Sequence, residues 1–186
     1  VSRGGALSVI ASPPAEPPLI AISDCVFIGN RAQQGGAIAV DGAALTLLGT
    51  ALTLNRAEVE GGALLLTGGA TLSLGDGSYL KANKAPLGST AQVLPGSSWQ
   101  YGLPAPQGHW VANGVPCVAA QACGPFYGQT VSQLAVGPLQ DEYPFSCAPG
   151  TYGSSTAAED QTGPSCSGVC PDGNFCAAGS IEPAPC

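Results

Sequence analysis

The sequence predicts an all-β protein: a short right-handed parallel β-helix with three strands per coil, followed by a small disulfide-rich module. Three observations carry this. A phrase containing Gly-Gly pairs at positions 4, 35 and 61 returns at intervals of 31 and 26 residues. Each interval holds three short runs of alternating apolar and polar residues. Seven of the eight Cys fall in the last 70 residues, where large apolar side chains are few.

The repeat phrase runs Asn30-Arg31-Ala32-Gln33-Gln34-Gly35-Gly36-Ala37-Ile38, then Asn55-Arg56-Ala57-Glu58-Val59-Glu60-Gly61-Gly62-Ala63-Leu64. A weaker copy is Asn83-Lys84-Ala85-Pro86-Leu87-Gly88, and Gly4-Gly5-Ala6-Leu7 is the tail of another. A Pro-rich bulge, Ser12 to Pro18, accounts for the longer first interval. The second period shows the three runs most fully: Ala37–Val40, Leu45–Leu48 and Leu52–Leu54. A fixed three-part period fits one coil of a solenoid, in which equivalent positions stack at ordinary strand spacing.

Stacking predicts inward columns: Leu7/Ile38/Leu64, Val9/Val40/Leu66, Leu45/Leu72, Leu47/Leu74 and Phe27/Leu52/Leu80. Cys25, Thr50 and Ser78 also stack inward in that register, which makes Cys25 a small buried residue without a partner. Asn30, Asn55 and Asn83 form a ladder at a turn, since Asn tolerates left-handed backbone and stacked amides bond one another. The next column is Arg31, Arg56 and Lys84. These cations splay into solvent or meet Glu58 and Glu60, because like charges at one strand spacing repel.

Residues 90–100 read as a fading last coil, so the β-helix spans about 1–101. Residues 102–146 are a joint: a Pro/Gly-rich wrap, a local Cys117/Cys123 loop, and a connecting stretch from 124 with an apolar run around Leu134 to Val136. Trp99, Tyr101 and Trp110 cover apolar surface in this reading; the alternative for exposed aromatics is stacking on sugar rings. Residues 147–186 form the Cys-rich module. There Cys170-Pro-x-Gly-x-Phe echoes Cys147-x-Pro-Gly-x-Tyr, and disulfides replace a core too small to form. Cys147, Cys166, Cys170 and Cys176 allow three connectivities, which the sequence leaves open. Cys186 stands where a next unit would begin, so its partner is expected beyond the end of this chain.

Composition narrows the function. Charged residues are only 9% of the chain, with 27 Gly and 17 Pro. All five Lys and Arg lie before residue 85, and the net charge is −7. Nucleic acid and anionic membrane are therefore excluded as partners, and no apolar run is long enough to span a bilayer. The Cys usage predicts an oxidising, extracellular or luminal setting. No zinc spacing is present beyond Cys166-x3-Cys170, so no metal or cofactor is expected. Asp24, Asp41 and Asp76 are single and do not fall in adjacent columns of one sheet. The lone His109 lies outside the repeats. That set supports no hydrolase or lyase chemistry, and the chain is read as non-enzymatic.

These residues carry a resemblance. Cys25-x-Phe27-x-x-Asn30-x-Ala32-x-x-Gly35-Gly36-Ala37-Ile38 resembles the repeat of polymorphic-outer-membrane-type right-handed β-helices. Cys147 to Cys186 resembles ephrin-receptor-like Cys-rich repeats. With the Tyr101-Gly-Leu-Pro-Ala-Pro…Gly-x-Trp110 joint, the chain is similar to large repetitive surface proteins of green algae. The departures are that one copy alone has the Cys, the third lacks the double Gly, and residues 124–146 match neither pattern. The resemblance implies a secreted or membrane-tethered ectodomain used for architecture, adhesion or assembly through other protein chains. It also implies hydroxylated, O-glycosylated prolines at Ser12-Pro13-Pro14 and Pro17-Pro18. The alternative function is a carbohydrate-binding module for acidic or sulfated glycans, using Arg31, Arg56 and Lys84 or Trp99 and Trp110.

Overall fold

The structure is a computed structural model that describes residues 1–11, 17–118 and 124–186. Most of the Ser12–Pro18 bulge, and Cys123 of the expected Cys117/Cys123 loop, lie outside the described residues.

The alternating runs become short strands that wind into a β-solenoid of about three turns. The first coil holds β1 (Leu7–Ile10), β2 (Leu19–Ser23), β3 (Val26–Ile28) and the turn strand β4 (Arg31–Gln34). The second holds β5 (Ile38–Asp41), β6 (Ala44–Leu48), β7 (Ala51–Thr53) and β8 (Arg56–Glu60). The third holds β9 (Leu64–Thr67), β10 (Thr71–Gly75) and β11 (Tyr79–Lys81), and the last partial coil β12 (Ala91–Val93) and β13 (Ser98–Gly102). Three parallel sheets result: β1-β5-β9-β12, β2-β6-β10-β13 and β3-β7-β11. A short β4-β8 ladder adds a fourth seam at the Asn-Arg turn.

The predicted register holds at every column. Leu7, Ile38, Leu64 and Ala91 stack, as do Val9, Val40, Leu66 and Val93. Ile20, Leu45, Leu72 and Trp99 form a third column; Ile22, Leu47, Leu74 and Tyr101 a fourth; Phe27, Leu52 and Leu80 a fifth. Members from the second coil onward are buried; those of the first are half-buried, because β1, β2 and β3 are edge strands covered on one side. Cys25 departs from expectation for that reason. It shares a column with the fully buried Thr50 and Ser78, but it is only half-buried, with a free thiol.

The Gly-Gly pairs are explained by two separate demands. Gly35 and Gly61 adopt φ of 61° and 65°, the left-handed region. Gly36 and Gly62 lack space instead: a Cβ on Gly62 would collide with the Ser89 carbonyl oxygen of the next coil, and one on Gly36 with that of Gly62. The third copy carries Ser89 here. No parallel coil follows it, and its N–H donates to Gln140 Oε1 at 2.9 Å.

Residues 124–146, expected to connect, instead close the end of the solenoid on all three faces. After β14 (His109–Trp110) and β15 (Gly114–Pro116), the chain forms β16 (Thr130–Leu134) and β17 (Gly137–Leu139). Strand β16 pairs antiparallel with β13, and β17 pairs antiparallel with β12. Tyr143 bridges antiparallel to Leu80 on the third sheet, at 2.7 and 3.0 Å. Reversing strand direction satisfies the last rung's backbone groups while stopping parallel propagation. Tyr143 is fully buried between Trp99 (5.9 Å) and Tyr101 (5.6 Å). It also meets Phe145, which packs on Trp110.

The Cys-rich tail begins at β18 (Phe145–Ser146), which pairs with β14. It contains β19 (Thr151–Tyr152) paired with β20 (Gly168–Val169), and β21 (Asn174–Phe175) paired with β22 (Ala184–Pro185). The sequence echo is structural: Gly150 and Gly173 both turn at positive φ, and each aromatic follows on a two-residue strand. Cys147 bonds Cys166 and Cys170 bonds Cys176, which selects one of the three connectivities. Cys117 is disulfide-bonded, and Cys186 is exposed with a free thiol. Buried Gln161 ties the tail to the joint: it accepts from Ala105 N at 2.8 Å and donates to Ala105 O at 2.7 Å.

Candidate functional site

The turn joining the third sheet to the first concentrates the chain's distinctive side chains. Each turn has the same three-residue grammar. A residue of positive φ comes first: Gly29 (68°), Leu54 (57°) and Ala82 (54°). The ladder Asn follows, and then the cation. The left-handed backbone thus falls one residue before each Asn, not on it, so the Asn are there for their side chains.

Those side chains bond in one direction along the axis. Asn55 Oδ1 accepts from Asn30 N (2.9 Å) and Asn30 Nδ2 (3.0 Å). Asn83 Oδ1 accepts from Asn55 N (2.9 Å) and Asn55 Nδ2 (3.0 Å). Asn55 and Asn83 also donate Nδ2 to the Phe27 and Leu52 carbonyls, both at 2.9 Å. Both amides are buried, so these bonds replace lost hydration and hold the turn in register.

The cation column rides on this ladder. Arg31, Arg56 and Lys84 are in Cα register and exposed. They line two adjoining shallow concavities of about 490 and 690 Å³, which share Arg56 and Glu58. Of the two expected outcomes, the cations take the solvent-exposed one: among the described residues none of the three makes an ion pair with Glu58 or Glu60, and Glu60 accepts from Gln34 Nε2 at 2.7 Å. The other two cations are paired, Arg3 with Asp41 at 3.4 Å and Lys81 with Glu142 at 3.9 Å.

The aromatic candidates are placed differently. Trp99 is an inward core residue, and its Nε1 donates to the Ala135 carbonyl at 3.3 Å. Its ring has no face to offer a sugar. Trp110 is half-buried against Phe145, with centroids 5.1 Å apart, and its Nε1 donates to the Ser146 carbonyl at 3.1 Å. Tyr143 and Phe145, which join these tryptophans, were missed by sequence reasoning; the Tyr-Pro-Phe triplet just before Cys147 was the available signal. Burial raises the phenol pKa of both central tyrosines. For Tyr101, neighbouring Tyr143 and Asp76 add to burial; for Tyr143, the Ser132 hydroxyl at 3.3 Å works weakly against it.

The acids and the histidine do not converge. Asp24 and Asp76 share a corner column with Gly49 between them, and Asp41 is taken by Arg3. His109 lies on β14 in the joint, with Nδ1 3.0 Å from the Gln107 carbonyl, a contact that places the proton on Nδ1. Among the described residues no group of three His, Cys, Asp or Glu is arranged to hold a metal ion.

Comparison with known families matches the Chlamydia polymorphic membrane protein repeat over residues 24–41. That stretch runs from the Asp24 corner through β3, Asn30, Arg31 and the Gly35-Gly36 pair to the end of β5. No curated protein and no solved structure matches the chain. The chain is thus similar to that repeat over one rung of a β-solenoid whose other rungs repeat the same register.

Proposed function

We propose that the chain is a non-enzymatic structural segment of an extracellular surface protein, in which a stiff β-helical rod and a stapled tail mediate assembly with other protein chains. The observation that carries this is how the family-matched phrase is spent. Its Asn forms the ladder, its Gly-Gly pair admits the next rung, and its apolar positions fill the columns. Each has a structural duty, and neither Asp24 nor Asp41 gains a catalytic neighbour. The two disulfides support an oxidising location, and surface exposure of the protein follows from that reading.

The test uses native material. Surface biotinylation of intact cells, cross-linking and mass spectrometry should place the chain outside the cell, with Cys147–Cys166 and Cys170–Cys176 oxidised and cross-links to other surface proteins. A fully reduced intracellular pool without such cross-links overturns the proposal. So does turnover of an acidic polysaccharide abolished by His109→Ala.

A further inference from the structure

We infer that the Arg31–Arg56–Lys84 column is a binding track for a linear acidic glycan, one anionic group per rung. This goes beyond the structural reading and does not depend on it.

Charge accounting singles out the column. The chain has five cations against twelve acids. Arg3 and Lys81 each take an acid, whereas the three in the column stand without one among the described residues. They are also the three that the ladder holds in line. A fold that stacks like charges about 4.8 Å apart leaves unbalanced potential along one seam, which an anion of matching repeat relieves. The two arginines present planar forks suited to sulfate or carboxylate. The concavities add what a sugar needs besides charge: hydroxyl and amide groups of Ser2, Gln33 and Ser89, and an apolar patch at Ala85 and Pro86.

The spacing selects the ligand class. An extended acidic peptide repeats its like-facing side chains about every 6.6 Å, out of step with rungs near 4.8 Å. Nucleic acid demands more cations than three on a chain of net charge −7. A glycan that carries its acidic groups on one side of the chain can offer one anion to each rung, and it brings hydroxyls to the polar neighbours Ser2, Gln33 and Ser89. Glu58 is the one acid inside the track, which gives the proposal a signed test.

The experiment is calorimetric titration of the 186-residue chain with heparin as the sulfated probe and polygalacturonate as the carboxylated one. Neutral dextran and single-stranded DNA serve as controls. One or both acidic glycans should bind, and affinity should fall severalfold between about 50 and 300 mM salt. Arg56→Ala should weaken binding about tenfold, Glu58→Gln should strengthen it about twofold, and Lys81→Ala, off the column, should leave it unchanged. Circular dichroism confirms that each variant is folded. Absence of binding to both acidic glycans, DNA binding of equal strength, or affinity indifferent to Arg56→Ala and Glu58→Gln overturns the assignment.

Discussion

The solenoid and the Cys-rich tail hold their shapes by opposite means. From Ile38 to Tyr101 nearly every inward position is an apolar side chain at or near zero exposure, packed on the equivalent residue of the next rung. In residues 147–186 the buried set contains Cys147, Cys176 and Gln161, while Val169, Phe175 and Ile181 remain exposed. The first region stands on repetition, with each rung supplying the surface the next one covers. The second has no such surface and is closed by two covalent bonds and two-residue ladders. The difference teaches that one sequence feature, frequent Gly, has two meanings here. In the rod the two meanings sit side by side, Gly61 turning the chain and Gly62 admitting the next backbone; in the tail Gly150 and Gly173 turn the chain, and Gly153 lets the Gly108 backbone approach.

Substitutions can break that comparison, and the largest effect is expected at the rung corner. Gly62→Ser drives a Cβ into the Ser89 backbone and should cost about 4 kcal/mol or more, as other severe backbone clashes do. Ser89→Gly, at the same place in the last copy, should change stability by about 1 kcal/mol at most. Urea midpoints of the two variants measure the contrast; equal costs would refute the close-approach argument.

The ladder comes next. Asn55→Ala removes the acceptor for Asn30 and leaves both the Asn83 and Phe27 carbonyl groups short of a partner. A loss of about 3 kcal/mol is expected, against about 1 kcal/mol for half-buried Asn30→Ala, read from the same denaturation curves.

Replacing the tail cysteines in pairs, Cys147→Ser with Cys166→Ser and Cys170→Ser with Cys176→Ser, probes the tail alone, because the Cys117 disulfide stays intact. Opening Cys147–Cys166 and Cys170–Cys176 should remove about 2 kcal/mol of local stability. Hydrogen exchange should quicken across β19–β22 while protection in β5–β11 stays as it was. Uniform deprotection of both regions would show that they fold as one unit.

Alkaline pH gives the smallest and most selective effect. Tyr101 and Tyr143 hold their protons above the ordinary tyrosine value in the folded state, chiefly because they are buried. The unfolded chain gives them up near pH 10, so from there upward the folded state binds more protons. Stability contributed by the neutral phenols is complete below about pH 10 and is lost as pH rises beyond it. Tyrosinate absorbance of these two residues should therefore appear together with unfolding of the capped end, and Tyr143→Phe should move the transition to higher pH.

The sequence by itself determined the rod. Its period, its inward columns and the Asn and Arg/Lys turn positions are all local statements about which residues recur, and stacking turns recurrence directly into contact. Only the tertiary structure decided how the rod ends. Strands β16 and β17 and the Tyr143 bridge occur once, so no internal copy marks them. Their partners lie 29 to 63 residues away in the chain, outside any local pattern. The burial of Trp99 follows from the same cap. The pairing of the four tail cysteines, and the absence among the described residues of an ion pair at Arg31, Arg56 and Lys84, were likewise decided in three dimensions. Both depend on distances between side chains that the spacing of letters does not carry.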